Sequence, residues 1–105
     1  MIAETKLSEI VSLWKEDKKQ YVKRSTFAAY TLLIENHILP VFGEMTLVEE
    51  PNVQAFVFQK LEEGLSHKTI KDILIVLKMI LRFGVKNQMT EYRQIDIKFP
   101  TERNK

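Results

Sequence analysis

The chain of 105 residues contains no cysteine, so neither a disulfide nor a thiolate metal site is open to it, and a reducing cytoplasm is its expected setting. Histidine is scarce. His37 and His67 are the only two, and neither has a second ligand four residues away on the same helix, so no metal site is expected. Gly43, Gly64 and Gly84 stand alone, which excludes a glycine-rich phosphate loop. The one long apolar run, from Ile73 to Val85, is interrupted by Lys78 and Arg82 and is too short for a membrane span; nothing has the form of a signal peptide. No nucleophile, base and orienting group stand at a catalytic spacing. The expectation is a soluble binding protein, not an enzyme, with no cofactor, no small-molecule substrate and no membrane contact.

What is present is an ordinary globular composition, 45% hydrophobic and 29% charged, in a length that makes one domain with a modest core. The net charge is only +2, yet the charges are segregated. Residues 44 to 64 hold five Glu and one Lys, whereas residues 66 to 88 hold five Lys or Arg and one Asp. A partner of negative charge would meet the second stretch and not the first.

Apolar periodicity gives four helices and no strand, an all-α small bundle. The first helix runs from Leu7 to Gln20 with Thr5 as a cap and Leu7, Ile10, Val11 and Trp14 facing inward. The second starts after Ser25 as cap, carries Phe27, Tyr30, Leu33, Ile34 and Ile38 at three- and four-residue spacings, and stops at Pro40, because proline cannot continue a helix. Val41-Phe42-Gly43 then reads as a compact turn. The third helix spans Asn52 to Glu63, with Asn52 as cap, Val53, Phe56, Val57 and Leu61 inward and Gly64 as its stop. The fourth follows a Ser66 cap and runs to Lys86. Trp14 and Tyr30 belong to the core by their positions, with the Tyr30 hydroxyl kept wet, and His37 packs at a helix end. The pattern dissolves after Asn87, so residues 1–88 are expected to form the domain and 89–105, with Phe99-Pro100, a tail or linker outside the core.

The fourth helix carries the most informative pattern. At about 100° per residue, Lys68, Lys71, Lys78, Arg82 and Lys86 fall within an arc of about 80° that also contains Ile75 and no carboxylate. Ile70, Ile73, Leu74, Leu77, Ile80, Leu81 and Gly84 lie nearly opposite. A solvated helix face usually mixes signs to form pairs three or four residues apart; here Asp72 is the only acid between Ser66 and Lys86. His67, Lys68 and Lys71 also occupy first turns, where the helix dipole disfavours cations. Free N-terminal amides beside cations suit an external anion such as phosphate, while the plainer alternative is a solvated cationic face.

The second helix, STFAAYTLLIENHILPVFG over residues 25 to 43, and the start of the fourth, GLSHKTIKDIL over residues 64 to 74, together resemble the core-binding domain of tyrosine recombinases, the phage-integrase family. Ser25, Thr26, Tyr30, His37, Ile38, Pro40, Phe42 and Gly43 match the family's second-helix pattern, and Leu65, Ser66, Lys68, Thr69 and Ile70 match its later Leu-Ser-x-Lys-Thr-Ile. The resemblance covers residues 5 to 100, with Val48 to Asn52 shorter than the family pattern before the third helix. It implies a SAM-like helical fold placed before a catalytic domain. The family's catalytic Arg, Lys, His-x-x-Arg and nucleophilic Tyr have no counterpart here, as neither histidine has Arg three residues later.

The resemblance therefore implies a DNA-binding piece of a site-specific recombinase of a phage or other mobile element. It would clamp a recombination site through its second and fourth helices, beside other recombinase protomers, while the absent domain cleaves the strand. Lys23, Arg24, Ser25, Thr26, Ser66, His67, Lys68, Thr69, Lys71, Ile75, Lys78, Arg82 and Lys86 are the candidate DNA-binding residues. Hydroxyls and amides would position phosphates, and Lys71, Ile75, Lys78 and Arg82 would reach a groove, Ile75 against a thymine methyl. Ser25, Thr26 and Ser66 have capping as an alternative role. An alternative function is a protein-interaction module whose basic fourth-helix face binds an acidic partner, and a free-standing regulator would need Leu61 to Lys71 to form a turn-linked recognition pair.

Overall fold

In a computed structural model that describes residues 5–91 and 94–99, the chain is all-helical, and no strand occurs among the described residues. Helix α1 is Leu7–Lys18; α2, Arg24–Leu33, passes unbroken into a π-helical turn, Ile34–Ile38, and a last α turn, α3, Leu39–Phe42. Helix α4 is Glu50–Glu62 and α5 is His67–Lys86. Since α2, the π turn and α3 are continuous, these make the four helical segments expected of a small SAM-like bundle.

Each segment is helical for a local reason, and several ends differ from the sequence reading. Thr5 does not cap α1. Lys6 holds the N-cap position without a side-chain bond, because the loop after α3 supplies the acceptors: the Leu7 N–H donates to the Met45 carbonyl at 2.9 Å and the Ser8 N–H to the Gly43 carbonyl at 3.0 Å. Orphan amides were thus satisfied from a distant loop, which no local pattern announces. The helix also ends at Lys18, before Gln20.

Ser25 is likewise not a cap. Lys23 takes that place, in extended conformation and without a side-chain bond, and Ser25 lies inside the first turn. Pro40 does not stop the second segment. Proline would clash with the carbonyl four residues back and cannot donate to it, and the chain answers by widening: the Leu39 N–H bonds to the Ile34 carbonyl, five residues back, in the π turn just before Pro40. The helix survives to Phe42, so Val41-Phe42 is not a turn, and Phe42 is fully buried with its ring 5.0 Å from that of Phe56.

Helix α4 starts at Glu50, not Asn52. Glu49 is its N-cap, Pro51 sits in its first turn, where a missing N–H costs nothing, and the Asn52 side chain accepts from the Glu49 N–H at 3.0 Å. Asn52 serves the helix start from within. At the other end Gly64, at φ +96°, closes the helix: its N–H donates to the Leu61 carbonyl and the Leu65 N–H to that of Lys60.

The core follows the expected rows with several changes: Phe27, Leu33 and Leu61 are only half-buried, while Phe42 and Val48 are buried. Leu7, Ile10, Val11 and Trp14 of α1, Ile34 and Ile38, Val53, Phe56 and Val57 of α4, and Ile70, Ile73, Leu74, Leu77 and Ile80 of α5 are buried. Gly84 is buried too, and a Cβ there would stand 3.1 Å from Ile10 and 3.0 Å from Thr90, so its lack of a side chain lets α1 approach α5. Val76 joins the stripe and Leu81 is only half-buried. Lys60 is also buried, 7% exposed in the core-facing row of α4, where its ammonium lies 5.5 Å from the Phe56 ring centroid and 3.2 Å from Glu63. Its stem packs while its head reaches the rim. Trp14 packs on Tyr30 at 6.0 Å between centroids, and both are in or against the core as expected.

Candidate nucleic-acid interface

The interface candidate is built on α5. Ser66 caps it as expected: its hydroxyl oxygen accepts from the Thr69 N–H at 3.1 Å, and the two hydroxyls bond each other at 3.0 Å. From that fixed start, the 20 residues of the helix keep one face in the core and turn Lys71, Ile75, Lys78, Arg82 and Lys86 to solvent. Ile75 is 57% exposed, an unusual place for an isoleucine and one bracketed by cations.

The row is less uniform than its sequence suggests. Asp72, just outside the arc, reaches Lys68 at 3.3 Å, so Lys68 is half-neutralised by a pair of the ordinary i,i+4 kind. Lys71 instead lies 5.4 Å from the centroid of the Phe99 ring, and the His67 ring stands 5.3 Å from the same ring. Lys78, Arg82 and Lys86 form no ion pair among the described residues. Part of this is structural, since cations in the last turns of a helix meet the negative end of its dipole; Lys78, mid-helix, gains little from that.

The N-terminal candidates sit elsewhere. Lys23, Arg24 and Ser25 are exposed and Thr26 is half-buried at the start of α2, and no hydrogen bond or ion pair among the described residues joins them to α5. Lys71, Ile75, Lys78, Arg82 and Lys86 share the exposed side of α5, while Lys23, Arg24, Ser25 and Thr26 lie on another element.

Sequence reasoning missed what lies against that face. Residues 94–99, expected as a tail clear of the core, run beside α5, with Ile95, Ile97 and Phe99 packed on the core. Asp96, Ile97 and Phe99 share a shallow depression with Lys71, Ile75 and Lys78. A second cleft, of about 350 Å³, lies between Lys78, Arg82 and Lys86 on one side and Thr90, Glu91, Gln94 and Ile95 on the other. The signal was present: Ile95, Ile97 and Phe99 alternate with Gln94, Asp96 and Lys98, a two-residue period. Pro100 lies outside the described residues.

His37 is half-buried, its Nδ1 buried and without a hydrogen-bond partner among the described residues. Its pKa is lowered, first by burial and next by the Lys60 charge, with Glu63 opposing. It lies near Lys60, inside a helix that continues to Phe42 and not at the helix end expected for it. Among the described residues no three His, Asp or Glu side chains are grouped to hold a metal ion, and no helix is long and apolar enough to cross a membrane.

No curated protein and no solved structure matches the chain. Residues 6–49, which hold α1, α2, the π turn and α3, match the family model of the phage integrase N-terminal SAM-like domain, the family that the second-helix motif resembles.

Proposed function

We propose that the chain binds duplex DNA as the core-binding part of a site-specific recombinase, with α5 as its principal contact. The observation that carries this reading is the exposed row Lys71, Lys78, Arg82 and Lys86, which forms no ion pair among the described residues, on a bundle in which residues 6–49 match an integrase domain. Spaced seven, four and four residues apart, these cations follow one line along the helix, the arrangement needed to meet successive phosphates or to line a groove. Ile75 is the apolar member of the same line and would touch a thymine methyl.

The start of α2 supports a second, smaller contact. With no side chain capping it, its first amides stay available, and Lys23, Arg24, Ser25 and Thr26 surround them. A backbone phosphate fits those donors. Ser66, His67, Lys68 and Thr69 make the corresponding group at the start of α5, although the Ser66 hydroxyl already serves as a cap. Strand cleavage would belong to a following catalytic domain, and other protomers would occupy the same recombination site. The setting would be the cytoplasm, where that DNA lies.

The test is duplex binding across a salt series for the parent chain and a Lys71→Ala, Lys78→Ala, Arg82→Ala variant with unchanged helicity. Binding in the micromolar range that falls steeply with salt, with a log–log slope reduced by about two to three in the variant, is the expected result. Equal slopes would remove the row from the interface and turn the search toward acidic protein partners.

A further inference from the structure

Residues 94–99 form no helix or strand and alternate in exposure: Ile95, Ile97 and Phe99 are half-buried, Gln94, Asp96 and Lys98 exposed. Helix α4 holds the backbone of the outward positions. The Asp96 N–H donates to Glu50 Oε1 at 2.8 Å, the Lys98 N–H donates to Gln54 Oε1 at 3.1 Å, and Gln54 Nε2 donates to the Lys98 carbonyl at 2.8 Å. One amide side chain thus gives to and takes from one residue's backbone, as a neighbouring strand would. Two such attachments, two residues apart, fix the rotation of the run, and Phe99 arrives at α5 in a set orientation.

There it meets two candidate contacts at once. His67 and Lys71 are one helical turn apart, and the Phe99 ring lies 5.3 Å from the first ring and 5.4 Å from the second residue's ammonium. A lysine on an exposed helix face otherwise spreads over many rotamers, a freedom lost when it binds phosphate. The ring face attracts the ammonium without cancelling its charge. Lys68, bound by Asp72, shows the opposite case.

We propose that Phe99 is a positioning residue of the cationic face, holding His67 and Lys71 ready for a DNA phosphate, so that residues 94–99 are part of the nucleic-acid surface; this rests on the DNA-binding reading above. The direction in which the chain leaves residue 99 is then tied to how the bundle sits on its duplex.

The experiment compares the parent with Phe99→Leu, Phe99→Tyr and Gln54→Ala, by duplex binding over a salt series and by the NMR resonances of the His67 ring without DNA. Phe99→Leu keeps the apolar contact and loses the ring face. Its binding should weaken about three- to tenfold at fixed salt, with the salt slope unchanged because no charge is lost. Phe99→Tyr should bind as the parent does. The His67 resonances should move toward those of free histidine in the Leu variant and stay in place in the Tyr variant. Gln54→Ala, which leaves the core intact, should weaken binding in the same direction and decides the matter if Phe99→Leu loses helicity. Salt-sensitive binding by the parent with equal or tighter binding by Phe99→Leu overturns the positioning role and leaves the DNA reading standing. Unmoved His67 resonances also overturn it. A parent with no salt-sensitive binding at low ionic strength overturns the DNA reading, and this inference with it.

Discussion

Helices α4 and α5 end in the same hydrogen-bonded turn with different residues at its critical position. After α4 it is Gly64 at φ +96°; after α5 it is Gln88 at φ +59°, with the Gln88 N–H on the Val85 carbonyl at 3.1 Å and the Met89 N–H on that of Gly84 at 2.7 Å. A residue with a Cβ pays about 1–2 kcal/mol for left-handed backbone, offset in part by the greater freedom glycine has when unfolded. Gln88→Gly should therefore stabilise the protein by about 1 kcal/mol, read as a higher urea midpoint at unchanged m-value. His37 gives a prediction of pH dependence. Its folded pKa is lowered by burial and by Lys60, so the unfolded chain binds the proton more readily. The contribution is fully present above the unfolded value of about 6.5 and is lost as pH falls through the lower folded value. Between pH 7 and about pH 5 the parent should lose more stability than His37→Gln does, a difference that urea midpoints at the two pH values will show. Equal losses would mean that the carboxylates alone set the acid limit.

At the scale of elements, what could be read from the sequence was set by how local each cause is. The buried faces of α1 and α5 follow from a 3.6-residue period repeated over several turns, and Ile10, Trp14, Ile73, Leu77 and Ile80 lie where that period puts them. Helix ends were less legible because their partners are remote. The amides of Leu7 and Ser8 are met by carbonyls more than thirty residues away in sequence, so a cap at Thr5 was not needed. Pro40 was read by its usual effect, yet the chain kept its helix by changing hydrogen-bond register at Ile34. The run 94–99 was missed for another reason. Six residues with three apolar positions make a weak pattern, and what secures them is Glu50 and Gln54 on α4, polar residues more than forty positions away in sequence.

For the whole molecule, the cationic face was legible as a line on one helix with Asp72 beside it, whereas Asp96 was not, since it reaches that face only through the tertiary fold. Asp72 pairs with Lys68, and Asp96 shares the depression of Lys71 and Lys78. If placement governs DNA binding more than total charge, these two acids should matter more than two others. Asp72→Asn with Asp96→Asn raises the formal charge by two, from +2, and so does Glu9→Gln with Asp17→Asn on exposed positions of α1, a helix packed on the opposite, buried face of α5. Charges separated by more than a Debye length, about 10 Å at 0.1 M salt, are largely screened. The first pair should tighten duplex binding several-fold at that salt, and the second by less than half as much in logarithmic units. Both gains should shrink toward zero as the Debye length falls to about 3 Å near 1 M. Equal gains from the two pairs would show that the duplex responds to net charge alone, and that the row on α5 has no preferred place in the contact.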